Sequence, residues 1–219
     1  MVSSIPLKTV FSVLQKHYDP PRTFLHYKTP FQLLIATMLS AQCTDVMVNK
    51  VTKVLFAKYK TPKDFVKLTQ GELEKLIKST GFFRAKSRNV LALSHILLHE
   101  YGGKVPQTMA ELVKLPGVGR KTAAIILWAA FGRNEGIAVD THVIRLSQRL
   151  GLSKHKDPKK IEQDLMADLP RKDWGYITTL MISHGRAVCT ARNRKCEECI
   201  FKKKCPSSLV MQRRDLVKK

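Results

Sequence analysis

Three groups of residues in this chain are equipped to react or to bind. The first is the string Leu115-Pro116-Gly117-Val118-Gly119-Arg120-Lys121-Thr122-Ala123. Gly117 and Gly119 let the backbone turn sharply and approach a bulky partner with no Cβ in the way. Amides at the start of the helix that comes next form an anion site suited to a phosphate, and Arg120 and Lys121 add charge to it. Lys121 is also a nucleophile, because an ammonium, unlike a guanidinium, can give up its proton. The second group centres on Asp140 in Val139-Asp140-Thr141-His142-Val143, a carboxylate able to stabilise positive charge as it develops nearby. The third is the run Cys189, Cys196, Cys199 and Cys205, whose thiolates can surround one ion or cluster within a short loop. Each group has a plain structural alternative. The glycines can be an ordinary turn, Lys121 a phosphate contact, Asp140 an N-cap, and the cysteines a zinc site.

Charge states what the hairpin would meet. Lys and Arg number 39 against 17 Asp and Glu, a net charge of +22. Like charge at that density opposes compaction, and the commonest use for it is a polyanion, DNA or RNA before a membrane surface. No apolar stretch approaches the roughly 20 residues needed to span a bilayer; the longest uncharged one is Ala123 to Phe131. The opening MVSSIPLKTVFSVL lacks a basic leader followed by an apolar run, so the expectation is a cytoplasmic protein. Five cysteines, four of them crowded near the end, suit thiolate ligands in a reducing compartment better than disulfides. Cys43, remote from the other four, is expected to be a small buried helix residue.

The segments that hold these groups read as helices nearly throughout. Phe31, Leu34, Ile35, Met38 and Leu39 lie on one helix face just after Pro30. Val48, Val51 and Leu55 repeat that spacing with Thr44 or Asp45 as cap. Val90, Leu93 and Leu97 form a stripe ending at Gly102-Gly103. Asp157-Pro158 opens a helix carrying Ile161, Leu165 and Leu169, and Trp174, Ile177 and Met181 belong to another, which Gly185 is expected to close. The cysteine tail buries little by itself and is expected to pack on the helices from about Asp157 onward. No alternating strand pair, repeat or low-complexity tract is present. The expected fold is all-α, two helical lobes with a DNA-binding cleft between them. Chain reach allows Lys121 and Asp140 to meet. A helix from Lys121 to Phe131 is about 17 Å long, and the residues from Gly132 to Val139 span up to about 26 Å if extended.

The hairpin string resembles the helix-hairpin-helix motif of the base-excision DNA glycosylases. Asp140 at a helix start, the segment Leu39-Ser40-Ala41-Gln42 with Thr44-Asp45, and the cysteine spacing also match. The chain therefore resembles the endonuclease III family over nearly its whole length. That resemblance implies a helical-barrel lobe of six helices over 23–133, containing the hairpin. It implies a discontinuous lobe of 1–22 and 134–219 carrying a [4Fe–4S] cluster on Cys189, Cys196, Cys199 and Cys205. By the same resemblance Lys121 is the nucleophile that forms a Schiff base with the sugar, and Asp140 is its electrostatic and proton-handling partner. It further implies that Gly117, Gly119 and Arg120 contact DNA, that Gln42 fills the gap left by a flipped base, and that Phe82, or Phe83, is the wedge. The partner it implies is double-stranded DNA with damaged bases or abasic sites, bound by a monomer.

Two other functions remain in view. An adenine or mismatch glycosylase would use the same scaffold, but such relatives carry a glutamate where this chain reads Ala36-Thr37-Met38-Leu39 and usually lack the hairpin lysine. A DNA-binding module without chemistry would keep the charge, glycines and cysteines and leave Lys121 and Asp140 idle.

Overall fold

The computed structural model describes residues 5–212, which form eleven α-helices, three short 3-10 turns and a last helical stretch at 209–212, with no strand among them. The chain divides into two compact units. One runs Thr23–Glu135; the other joins the residues up to Arg22 to those from Gly136 onward. Among the described residues no helix is long and apolar enough to cross a membrane.

The Thr23–Glu135 unit is built around α2 (Pro30–Leu39). Thr29 caps it, accepting from the Gln32 amide at 3.2 Å, and Pro30 occupies the first turn, where its missing N–H costs nothing. Every residue from Phe31 to Leu39 is buried. The apolar stripe read from the sequence is therefore one face of a helix that is interior all round. Around it stand α3 (Asp45–Lys58), α4 (Pro62–Phe65), α5 (Gln70–Ile77), α6 (Phe83–Glu100), α7 (Met109–Leu112) and α8 (Arg120–Phe131). That makes seven helical segments where six were expected. Two of them, α4 and α7, are four-residue turns too short to carry a periodic stripe. Thr61 with Asp64 and Thr69 with Glu72 form capping boxes that start α4 and α5. Leu34, Ile35, Val48, Leu55, Leu93, Leu97, Ile126 and Leu127 share one core.

The second unit holds α1 (Leu7–His17), α9 (Thr141–Leu150), α10 (Pro158–Asp168) and α11 (Trp174–Ala187), followed by the cysteine loop. Its core joins Val10 and Leu14 of α1 to Leu146, Ile161, Leu165, Ile177, Leu180 and Met181. Asp157 caps α10 through the Lys160 amide at 3.0 Å.

Three local expectations are corrected. Gly185 does not close α11, which continues to Ala187. A Cβ built on Gly185 would lie 2.7 Å from His142 Nδ1 and 2.9 Å from Arg145 Nη2, so the glycine is there to let α9 lie against α11. Cys43 is half-buried in the bend between α2 and α3, packed on the core but outside any helix. The cysteine loop packs on α9 as well as α11, earlier in the chain than Asp157: Arg145 and Arg149 both hydrogen-bond to it.

Candidate functional site

The hairpin begins at α7, whose N-cap Thr108 accepts from the Glu111 amide at 3.3 Å. The chain then turns back through Leu115, whose carbonyl takes the Val118 amide at 3.1 Å, and α8 starts at Arg120. Its N-cap is Gly119, which brings no side chain to the first-turn amides, and that turn holds no acidic residue. Backbone donors and the positive end of the helix dipole are thus presented together. Ala123, Ala124, Ile126 and Leu127 bury the other face of α8 and leave Arg120 and Lys121 exposed at its start.

The two hairpin glycines do different work. Gly117 has φ +75°, and a Cβ there would lie 2.9 Å from both Asn89 Nδ2 and Met38 Cε. It is required by the turn and by close packing on α2 and α6. Gly119 has φ −92°, and a Cβ there would meet nothing within 4 Å. The protein's own fold does not require that glycine; the space beside it is open.

Asp140 is the N-cap of α9, its Oδ1 accepting from the amides of His142 at 2.8 Å and Val143 at 2.9 Å. Both donors reach one oxygen, so the cap does not engage Oδ2. The helix behind is anchored by Arg145, whose Nε donates to the Cys189 carbonyl at 3.0 Å and whose Nη2 donates to the Gly185 carbonyl at 3.1 Å. Burial pulls the Arg145 guanidinium below its usual range, with the neighbouring Cys189 and Asp140 opposing that shift. Lys121 and Asp140 stand in different units, each fixed at a helix start by its own local structure.

Gln42 and Phe82 share a backbone conformation. They are the two non-glycine residues with positive φ among the described residues, at 54° and 48°. An L side chain in that region costs about 1–2 kcal/mol, and such strain concentrates where a side chain must be aimed. Both side chains are exposed, Phe82 by 65 %, while Phe83 is half-buried against the core. With the family resemblance set aside, Phe82 would read as core and Gln42 as a surface helix residue; the structure places Gln42 in the turn after α2 and Phe82 at the solvent-facing start of α6.

All four cysteines of the loop line one pocket with Leu146, Leu150, Val188 and His184. Two N–H donors and one imidazole nitrogen face two of the sulfurs. Arg149 Nη1 reaches Cys189 Sγ at 3.3 Å, the Phe201 amide reaches Cys199 Sγ at 3.4 Å, and His184 Nε2 lies 3.6 Å from the same Cys199 sulfur. Such donors suit thiolates or cluster-bound sulfurs, which accept far better than neutral thiols. Burial, reinforced by the other cysteines, pushes the Cys199 thiol up to about 11 and raises Cys205 as well. Four sulfurs lining one pocket, two of which resist ionising unaided, fit a cationic group that supplies the missing charge. Among the described residues no cluster of three or more His, Cys, Asp or Glu is arranged to hold a single metal ion. Arg149 also ties the loop down, donating to the carbonyls of Thr190 at 2.7 Å and Ala191 at 3.0 Å.

Sequence reasoning missed Arg145, Arg149, His184 and the buried Lys86. Arg145 and Arg149 stand four apart on α9, a spacing that marks one helix face, but nothing in the sequence says that the face carries a loop. His184 is buried, its Nδ1 is 3.0 Å from the Tyr18 hydroxyl, and burial pulls its imidazole down to about 4.

The family described as HhH-GPD superfamily base excision DNA repair protein matches residues 35–171. The chain is 50 % identical over 199 residues to endonuclease III of Synechocystis, covering 91 % of each chain. It is 45 % identical to endonuclease III of Bacillus subtilis, covering 89 % of each. Among solved structures, a non-covalent endonuclease III–DNA complex superposes with TM-score 0.89 at 42 % identity, covering 95 % of this chain and 97 % of that one. A trapped endonuclease III–DNA covalent intermediate also gives TM-score 0.89, at 41 % identity and covering 96 % and 99 %.

Proposed function

The chain belongs to the HhH-GPD superfamily of base excision DNA repair proteins and, within it, to the endonuclease III family; we propose how its own residues carry out glycosylase and abasic-site lyase chemistry on duplex DNA. One observation carries the assignment: the hairpin ends in an exposed lysine, Lys121, in the first turn of a helix whose start is built to receive phosphate.

The hairpin amides and Arg120 hold the backbone of the damaged strand. Gln42 and Phe82 enter the duplex, Phe82 parting the stack and Gln42 facing the base left without a partner, while the damaged nucleotide turns out of the helix. The lone pair of Lys121 Nζ attacks the anomeric carbon, and Asp140 stabilises the positive charge that builds on the sugar. The bond from that carbon to the base breaks, its electron pair leaving with the base, which takes up a proton. Opening of the sugar ring gives a Schiff base to Nζ. Loss of a C2′ proton then expels the 3′ phosphate with the electrons of its C–O bond, which is β-elimination. The trapped covalent complex of a relative is consistent with that route.

The bases removed are oxidised pyrimidines. An adenine-removing enzyme would need a carboxylate in α2, and Pro30–Leu39 has none. Cys189, Cys196, Cys199 and Cys205 would hold a [4Fe–4S] cluster, which when bound cross-links the loop and contributes no step of base removal. The loop carries Arg192, Arg194, Lys195 and Lys202–Lys204, a density of positive charge suited to phosphates. The protein works as a cytoplasmic monomer on double-stranded DNA.

Borohydride reduction on a duplex carrying thymine glycol tests the mechanism. Wild-type protein becomes covalently attached to the DNA, and Lys121→Ala shows neither attachment nor strand cleavage. Asp140→Asn keeps DNA binding and loses most turnover. A Lys121→Ala protein that still nicks the strand removes the assignment.

A further inference from the structure

Lys86 is a lysine inside the protein. Its amide closes the first turn of α6 by donating to the Phe82 carbonyl at 3.0 Å, and its side chain is buried, 7 % exposed. Lysines are almost never this buried without a partner. The ammonium donates to the Leu39 carbonyl at 2.8 Å and to the Thr80 carbonyl at 2.7 Å. Packing alone does not call for a charge here, since an apolar chain of similar length would fill the space without desolvating an ion.

The two acceptors show what the charge is for. Leu39 ends α2, and from it the chain turns through Ser40 and Ala41 to Gln42. Thr80 ends the 3-10 turn Lys78–Thr80, and Gly81 and Phe82 come directly after it. One ammonium therefore grips the stems of two separate turns, 47 residues and 6 residues away in sequence. Those turns carry the two non-glycine residues of the described chain that hold a left-handed backbone, both with exposed side chains. Strained conformations persist only where their surroundings over-determine them, and a charged donor makes hydrogen bonds roughly twice as strong as a neutral one.

We propose that Lys86 is a positioning residue for duplex opening, locking the Gln42 turn to the Phe82 turn so that the two side chains enter DNA as one unit. The proposal rests on the assignment of Gln42 and Phe82 as the inserting residues. Without the ammonium each turn relaxes independently, and a misplacement of about 1 Å in a reacting assembly costs on the order of 10²-fold in rate.

The test uses Lys86→Met in the full-length protein, under single-turnover conditions, at a temperature where circular dichroism shows the variant folded. Two substrates are compared: one lesion opposite its normal base, and the same lesion opposite an abasic gap, where little opening is needed. The expected result is a loss of about 10- to 100-fold on the paired lesion with a rate close to wild type on the gapped one. An equal loss on both substrates, or no loss on either, overturns the proposal. Lys86→Gln, uncharged and too short to reach both carbonyls, takes the place of Lys86→Met if the latter does not fold, with the same two outcomes. Phe82→Ala and Gln42→Ala are measured alongside. If they show no preference for the gapped substrate, the insertion assignment itself fails; if they show it and Lys86→Met does not, only the role of Lys86 fails.

Discussion

Replacing each hairpin glycine by alanine separates folding from DNA recognition at two positions one residue apart. At Gly117 the added methyl meets φ +75° and two atoms at 2.9 Å, one on Asn89 and one on Met38. Holding alanine in the left-handed region costs about 1–2 kcal/mol, and forcing a methyl into a filled space typically costs about 1–3 kcal/mol. Some relief comes from Met38 Cε, the end of a flexible chain, but Met38 is itself buried. The net expectation is a loss of about 2–4 kcal/mol. For a chain of this size about 1 kcal/mol shifts Tm by about 2–4 °C, so Gly117→Ala lowers Tm by about 4–16 °C. At Gly119 the backbone is extended, the methyl meets nothing within 4 Å, and only the N-cap preference for glycine over alanine is lost. That loss is about 0.5–1 kcal/mol, a fall in Tm of at most about 4 °C. The methyl does stand where a phosphate would approach the first-turn amides, and a tenfold loss of affinity for duplex DNA, about 1.4 kcal/mol, is expected. Thermal melts and fluorescence anisotropy on a labelled duplex, at one fixed salt concentration, read both quantities. A Gly119→Ala protein that binds DNA as wild type does, or a Gly117→Ala protein that melts as wild type does, would refute this division of roles.

Gly185→Ala inverts the usual rule for a helix interior: propensity alone predicts a gain of about 1 kcal/mol, whereas the methyl strikes His142 and Arg145, so Tm is expected to fall, and a rise of a few degrees would show that α9 and α11 have room to spare. Asp64 is held below its ordinary 3.8 chiefly by the Lys60 amide, and Glu72 below 4.5 chiefly by the Thr69 amide. Each contributes stability that is complete above those values and lost as pH falls through the lowered ones. Tm plotted against pH should therefore drop less steeply below about pH 4.5 in the Asp64→Asn, Glu72→Gln double variant, and an unchanged acid limb would count against the two capping boxes. Anaerobically purified protein should be brown and hold about four iron atoms per chain, with the visible band weakened in Cys199→Ser; a colourless protein holding one zinc ion would replace the cluster with a structural ion.

Features that depend on residues within a turn or two of one another are legible in the chain before it folds. Thr44 and Asp157 mark helix starts because a cap needs only a side-chain oxygen and an amide up to three residues on, and Pro30 marks another because the first turn spares its missing N–H. The hairpin, the Asp140 cap and the cysteine spacing are legible for the same reason, and the stripes at Val48, Val90 and Ile161 point to an all-α fold through helical periodicity. Contacts made across the chain are another matter. Lys86 reads as a solvated lysine until a carbonyl 47 residues away closes over it. Gly185 reads as a helix stop until His142 and Arg145 arrive against it, and Phe82, a wedge by resemblance alone, faces water only because its neighbours leave it there. Burial and close approach are set by what distant segments bring to a position, and no local pattern encodes that.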